Sequence, residues 1–134
     1  MRNIIAVLMV LALSSCTLYD AVLMTKYDGD EYKAITGIRT DASLYANQCN
    51  DAVKSKANAD NLASKTLYFS YFEESVPHNT DAANAAKSLD IIAQGLKARY
   101  NSGTPVSPMF CKIKFETVQH SSAVIQQVMG NRPR

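Results

Sequence analysis

The chain has 134 residues, 47% of them hydrophobic and 19% charged, and fourteen basic against twelve acidic side chains leave a formal charge of +2. This composition excludes a disordered or fibrous polymer and leaves no room for a second full domain. So even a balance offers no electrostatic footprint for DNA or RNA, and no nucleic-acid partner is expected.

Residues 1–3 carry a single positive charge, Arg2, and residues 4–13 follow as ten consecutive apolar residues. That run suits the h-region of a signal peptide and falls short of the roughly 20 residues a membrane-spanning helix needs. Leu13, Ser14, Ser15 and Cys16 come directly after it: one branched apolar residue, two small ones, then a cysteine. The pattern resembles the lipobox of bacterial lipoproteins. The resemblance covers residues 1–16 and implies removal of residues 1–15 as a signal peptide, with acylation of the Cys16 thiol. Small side chains at Ser14 and Ser15 let a peptidase approach the backbone, and only a thiol supplies the thioether. Residues 16–29 would then be a lipidated, membrane-proximal segment and residues 30–134 a single helical domain. The segment after Cys16 lacks the Gly, Ser and Pro of a flexible tether and contains the apolar Leu18, Val22, Leu23 and Met24. In the lipoprotein class, an Asp after the acylated cysteine favours retention at the inner membrane; here that position is Thr17. The expected location is therefore the outer membrane, on its periplasmic face, with the bilayer itself as a partner through acylated Cys16.

With Cys16 assigned to lipid, Cys49 and Cys111 are left as an even pair in a compartment that permits disulfides, and a bridge between them is expected. No CxxC spacing points to a redox motif or a structural zinc site. The 28–30 stretch, Asp-Gly-Asp, reads as a break. It is not a calcium loop, because Tyr32 and Lys33 stand where an EF-hand needs an oxygen ligand and a glycine.

Beyond that break, Ile35, Ile38, Ala42, Tyr45, Cys49, Ala52, Lys56 and Ala59 recur at spacings of three and four, which predicts one long helix over 30–59. Residues 62–76 predict a second helix, with Leu62, Phe69, Phe72 and Val76 on one face and Tyr68 and Tyr71 on its flanks. Pro77 ends it. Asn79 and Thr80 are candidate N-caps for a third helix starting near Asp81, whose face is Ala82, Ala85, Leu89, Ile92, Leu96 and Arg99. Residues 100–105 supply turn residues, and Ser107 then caps a fourth helix with Pro108 at its first position. Its stripe is Cys111, Phe115, Val118, Ser122, Ile125 and Met129. Residues 111–117 also alternate as a strand would, but the helical spacing persists to Met129. The expected fold is all-α: a small antiparallel bundle of about four helices, stapled by a disulfide.

Catalytic signatures are sparse. There is no GxSxG, no HExxH and no phosphate-binding glycine loop. Glu116 and His120 share a helical face pointing to solvent, so no metal site is expected there. Glu73 and Glu74 read as a solvated helix end, and the basic 130–134 segment as a frayed terminus. These features predict a non-enzymatic accessory or interaction module of the cell envelope, with no cofactor, contacting an envelope protein or the cell wall. Within such a module the aromatic side chains of Tyr68, Tyr71 and Phe72 are the candidate partner-binding surface. The alternative is a small-ligand carrier or envelope hydrolase with its site near 67–78, drawing on Glu73, Glu74, His78 or His120; it requires those groups to converge on a cavity.

Overall fold

The computed structural model describes residues 25–134, and there the chain forms four helices: α1 (Gly29–Ala46), α2 (Ala52–Ser75), α3 (Thr80–Asn101) and α4 (Pro108–Gly130). The all-α, disulfide-stapled bundle is as the periodicity predicts. The proposed lipobox and the Cys16 attachment point lie outside the described residues.

Three of the four helix starts have a side-chain cap. Asp28 accepts hydrogen bonds from the N–H groups of Asp30 (2.7 Å) and Glu31 (3.1 Å), Asp51 from that of Lys54 (3.0 Å), and Ser107 from that of Phe110 (3.2 Å). Pro108 follows Ser107 at the first helical position, where a missing N–H is of no consequence. At α3 the pattern differs. Asn79 occupies the N-cap position but makes no capping bond, because its side chain is engaged elsewhere.

The single long helix expected over 30–59 is two helices. Residues 47–51 form a turn, and Asp51 starts α2 afresh. Asn47, Asn50 and Asp51 are the turn-forming residues responsible. The periodicity missed the break because apolar residues on both sides continue the same count. Ala52 and Lys56, expected on the buried face, are exposed, whereas Ser55, Ala59, Leu62 and Ala63 are buried.

Cross-helix bonds fix the packing. Asn61 donates to the Tyr45 hydroxyl (2.7 Å) and Lys65 pairs with Asp41, so α1 and α2 run antiparallel. The Tyr100 hydroxyl donates to Ser55 Oγ (2.9 Å), and the Gln94 amide donates to the Ala63 carbonyl (3.0 Å), setting α2 against α3 in the same sense. Helices α1 and α4 form the other closely packed pair, through Gln126 to Thr36 (2.7 Å) and the Cys49–Cys111 disulfide, with Cα atoms 5.8 Å apart. Cys49 lies in the turn after α1 rather than on a helix. The α3–α4 seam is less intimate.

The core alternates large and small. Phe69, Phe115, Ile35, Leu62, Leu89 and Leu96 are essentially excluded from solvent, and Ala42, Ala59, Ala63, Ala86 and Ala93 sit between them. Small residues let helix axes approach, while each large side chain contributes about 1.5–3 kcal/mol on burial. Tyr45 meets Phe115 edge-on at 5.6 Å between ring centroids. On α4 the buried set is Cys111, Phe115, Val118, Ser122, Ile125 and Met129, the same stripe the sequence predicts. At its end Gly130 faces the Tyr32 ring, and an added Cβ would stand 3.2 Å from a ring carbon.

Candidate functional site

The end of the bundle where α1 begins and α4 ends holds a buried polar cluster. Arg132, just past α4, reaches Glu31 in the first turn of α1 through Nη1, at 2.6 and 2.7 Å from the two carboxylate oxygens. Its Nη2 donates to Asn79 Oδ1 at 2.9 Å. Asn79 Nδ2 in turn donates to Glu73 Oε2 (2.5 Å) and to the Glu73 carbonyl (3.3 Å). The start of α1, the end of α2, the start of α3 and the segment after α4 are thus joined in one network. Engagement in it explains why Asn79 does not cap α3.

Glu31 and Glu73 are 1% and 0% exposed, which corrects the reading of Glu73 as part of a solvated helix end. Arg132 is likewise held in place rather than belonging to a frayed terminus. Removal from water, together with the neighbouring Glu31 carboxylate, pushes the Glu73 carboxyl up to about 8 against the opposing pull of Asn79 and Arg132. Glu73 Oε1 is buried with no hydrogen-bond donor. Both observations have one explanation: near neutrality Glu73 carries a proton, and that proton gives its carboxyl a donor to offer Glu31. The arrangement can store a proton. It cannot attack a substrate, because neither carboxyl reaches solvent.

Beside the cluster, along the α3–α4 seam, lies a groove of about 800 Å³. Ala82 and Ala85 of α3 and Val124, Ile125, Val128 and Met129 of α4 form its apolar walls; Asn79 and Arg132 close its polar end. Thr25 also lines this groove and donates to the His78 carbonyl at 3.0 Å. His78 has φ of 58°, a left-handed conformation uncommon for a residue with a side chain, which turns the chain sharply into α3.

The groups that a carrier or hydrolase would need do not gather. His78 lines the groove, and Glu73 reaches it only through Asn79; Glu74 and His120 are exposed and do not line it. Glu116 lies 3.8 Å from Lys112. No group of three or more His, Cys, Asp or Glu suited to a metal occurs among the described residues, and no described helix is long and apolar enough to cross a membrane.

The candidate partner surface lies on the outer face of α2. Tyr68 and Tyr71 are 64% and 63% exposed, Leu67 adds to the patch, and Phe72 is half-buried. The Tyr68 and Phe72 rings lie 6.4 Å apart. Periodicity identified this patch but not the Glu31–Arg132–Asn79–Glu73 cluster; its only sequence signal is two acidic residues and one basic residue at helix ends. No protein-family model, curated protein or solved structure matches the chain.

Proposed function

We propose that the protein is a membrane-anchored lipoprotein of the bacterial envelope, held on the periplasmic face of the outer membrane, and that it works as a non-enzymatic interaction module. The observation that carries this reading is the Leu13-Ser14-Ser15-Cys16 pattern directly after a ten-residue apolar run. The fold lends support in one respect: Cys49 and Cys111 are bonded to each other, which leaves Cys16 as the remaining thiol of three. A bridge of that kind suits an oxidising compartment. Each buried CH₂ of an acyl chain contributes about 0.8 kcal/mol, so several chains hold such a module on its membrane essentially permanently.

The working surface is the exposed aromatic face of α2. Tyr68, Tyr71 and Phe72 offer rigid, partly polar contact area of the kind enriched at protein interfaces, and an envelope protein or the cell wall is the partner class. A small-ligand carrier is the second reading, moved from the 67–78 groups, which do not converge, to the apolar α3–α4 groove, the observation in its favour.

The test is Cys16→Ser in a Gram-negative host, followed by fractionation and intact mass. The parent protein is expected in the membrane fraction, without residues 1–15 and heavier by its acyl groups. The variant is expected to lose both the added mass and the membrane association. A variant that still sediments with membranes at the parent's mass would overturn the anchoring.

A further inference from the structure

We infer that the end of the bundle closed by Cys49–Cys111 is a contact surface for anionic phospholipid, its apolar side chains entering the bilayer boundary while its basic ones meet the headgroups. This end comprises the 47–51 turn, the start of α2, the end of α3 and the start of α4. The disulfide, the Tyr100 to Ser55 bond at 2.9 Å and the bond from Lys56 to Asn101 hold these pieces together. Its shape is set in advance, so little ordering cost opposes docking.

Charge gives the sign of the partner. The whole chain carries only +2, yet residues 47–56 and 97–114 hold six basic side chains, Lys54, Lys56, Lys97, Arg99, Lys112 and Lys114, against the single acidic Asp51. Asp51 is occupied in capping α2. Of the six, only Lys112 forms an ion pair among the described residues, with Glu116 at 3.8 Å. The opposite end is the reverse: residues 25–33, 73–81 and 128–134 hold four Lys or Arg and six Asp or Glu. The net charge conceals this division because it adds the two ends. A surface of negative charge is attracted to the basic one.

Apolar exposure decides which kind of surface. Val53 is 83%, Met109 67%, Ile113 51% and Phe110 37% exposed, all at this same end. One such residue is ordinary, whereas four rimmed by basic side chains mark an interaction site. An anionic polymer would engage the charges and leave the apolar groups in water. A bilayer boundary accepts both, with lysine stems lying along apolar surface and their ammonium groups among the headgroups. Lys114 already has that disposition, its Nζ 5.5 Å from the centre of the Phe110 ring. The 18 residues of α1 rise about 27 Å and separate this end from Thr25. The contact is therefore distinct from attachment through Cys16 and does not rest on it.

The chain contains no Trp, so a single indole can report on one position. Full-length Met109→Trp is mixed with vesicles of phosphatidylcholine alone or of phosphatidylcholine with phosphatidylglycerol, all carrying a brominated lipid that quenches indole emission. Ile91→Trp, exposed midway along α3, is the control. With the anionic vesicles, Met109→Trp is expected to shift its emission to shorter wavelength and to be quenched; with neutral vesicles, and for Ile91→Trp in both, neither change is expected. Salt at about 1 M, which screens charges beyond about 3 Å, should reverse the quenching. Adding Lys54→Ser/Lys114→Ser to Met109→Trp should remove most of it while the helical circular dichroism stays the same. Equal quenching in neutral and anionic vesicles, equal quenching at the two indole positions, or quenching that survives the lysine substitutions would overturn the assignment. So would salt-sensitive binding to heparin, an anionic polysaccharide, with no quenching by any vesicle. Because the indole reads its own position, the result is separate from whether Cys16 is acylated.

Discussion

Arg132 and Glu31 are 101 residues apart in sequence, yet one guanidinium nitrogen touches both carboxylate oxygens and the two side chains are 8% and 1% exposed. Burial makes this pair costly to form and costlier to break, because removing either partner leaves an uncompensated charge.

Arg132→Met is therefore expected to destabilise the fold by about 3–5 kcal/mol, read as a lower urea midpoint. The double variant Glu31→Met/Arg132→Met should recover much of that loss, since two apolar side chains of similar size replace a desolvated ion pair. A double variant no more stable than Arg132→Met would show that the network acts through Asn79 rather than through the charge pair.

Glu73 makes stability depend on pH. Its carboxyl titrates near 8 in the fold and near its ordinary 4.5 when unfolded, so between those values the native state binds more protons. Its contribution is fully present below about 4.5 and is lost progressively as pH rises through about 8. Glu31, Arg132 and Asn79 are the polar groups that face it. Melting temperature is expected to fall between pH 5 and pH 8. Glu73→Gln, whose amide can donate to Glu31 at any pH, should flatten that slope.

The Cys49–Cys111 bridge closes a loop of 62 residues, for which the chain-entropy model gives about 4 kcal/mol of stabilisation. Thermal melts with and without reductant, or of Cys49→Ala/Cys111→Ala, should show a loss approaching that value. An unchanged melt under confirmed reduction would mean that helix packing alone sets the stability.

Tyr68→Ala and Tyr71→Ala remove exposed rings and should change stability by no more than about 0.5 kcal/mol. In-cell crosslinking to an envelope partner should nonetheless decline in both. Phe69→Ala, one position from Tyr68 and wholly buried, should instead cost about 3–5 kcal/mol. Loss of crosslinking in Phe69→Ala alone would place the partner surface elsewhere.

How much of this is legible in the sequence depends on the range of the interaction. The α4 stripe could be read to the residue, because Ser107, Pro108 and six apolar or small positions are a local, periodic signal. The third helix was legible to within one residue of its start, with its face rotated slightly: Ala86 and Ala93 are buried where Ala85 and Ile92 are only partly so. The first two helices were misdivided because spacing carries across the 47–51 turn, and only Asn47, Asn50 and Asp51 announce the break. Glu73 was misread because an acidic residue at a helix end is ordinarily solvated, and Arg132 because a charged segment after a glycine ordinarily frays. Each is buried by partners far away in sequence, which leaves no period to detect.

Helices α1 and α4 are fastened at both ends, by the Glu31–Arg132 pair at one and by Cys49–Cys111 at the other. A tug applied between the chain ahead of Thr25 and the chain beyond α4 would first strip hydrogen bonds, then an ion pair, and would finally come up against a covalent link. From there the tension crosses directly from position 49 to position 111. The α2–α3 hairpin, with its aromatic face, lies between positions 49 and 111 and so hangs outside the line of force.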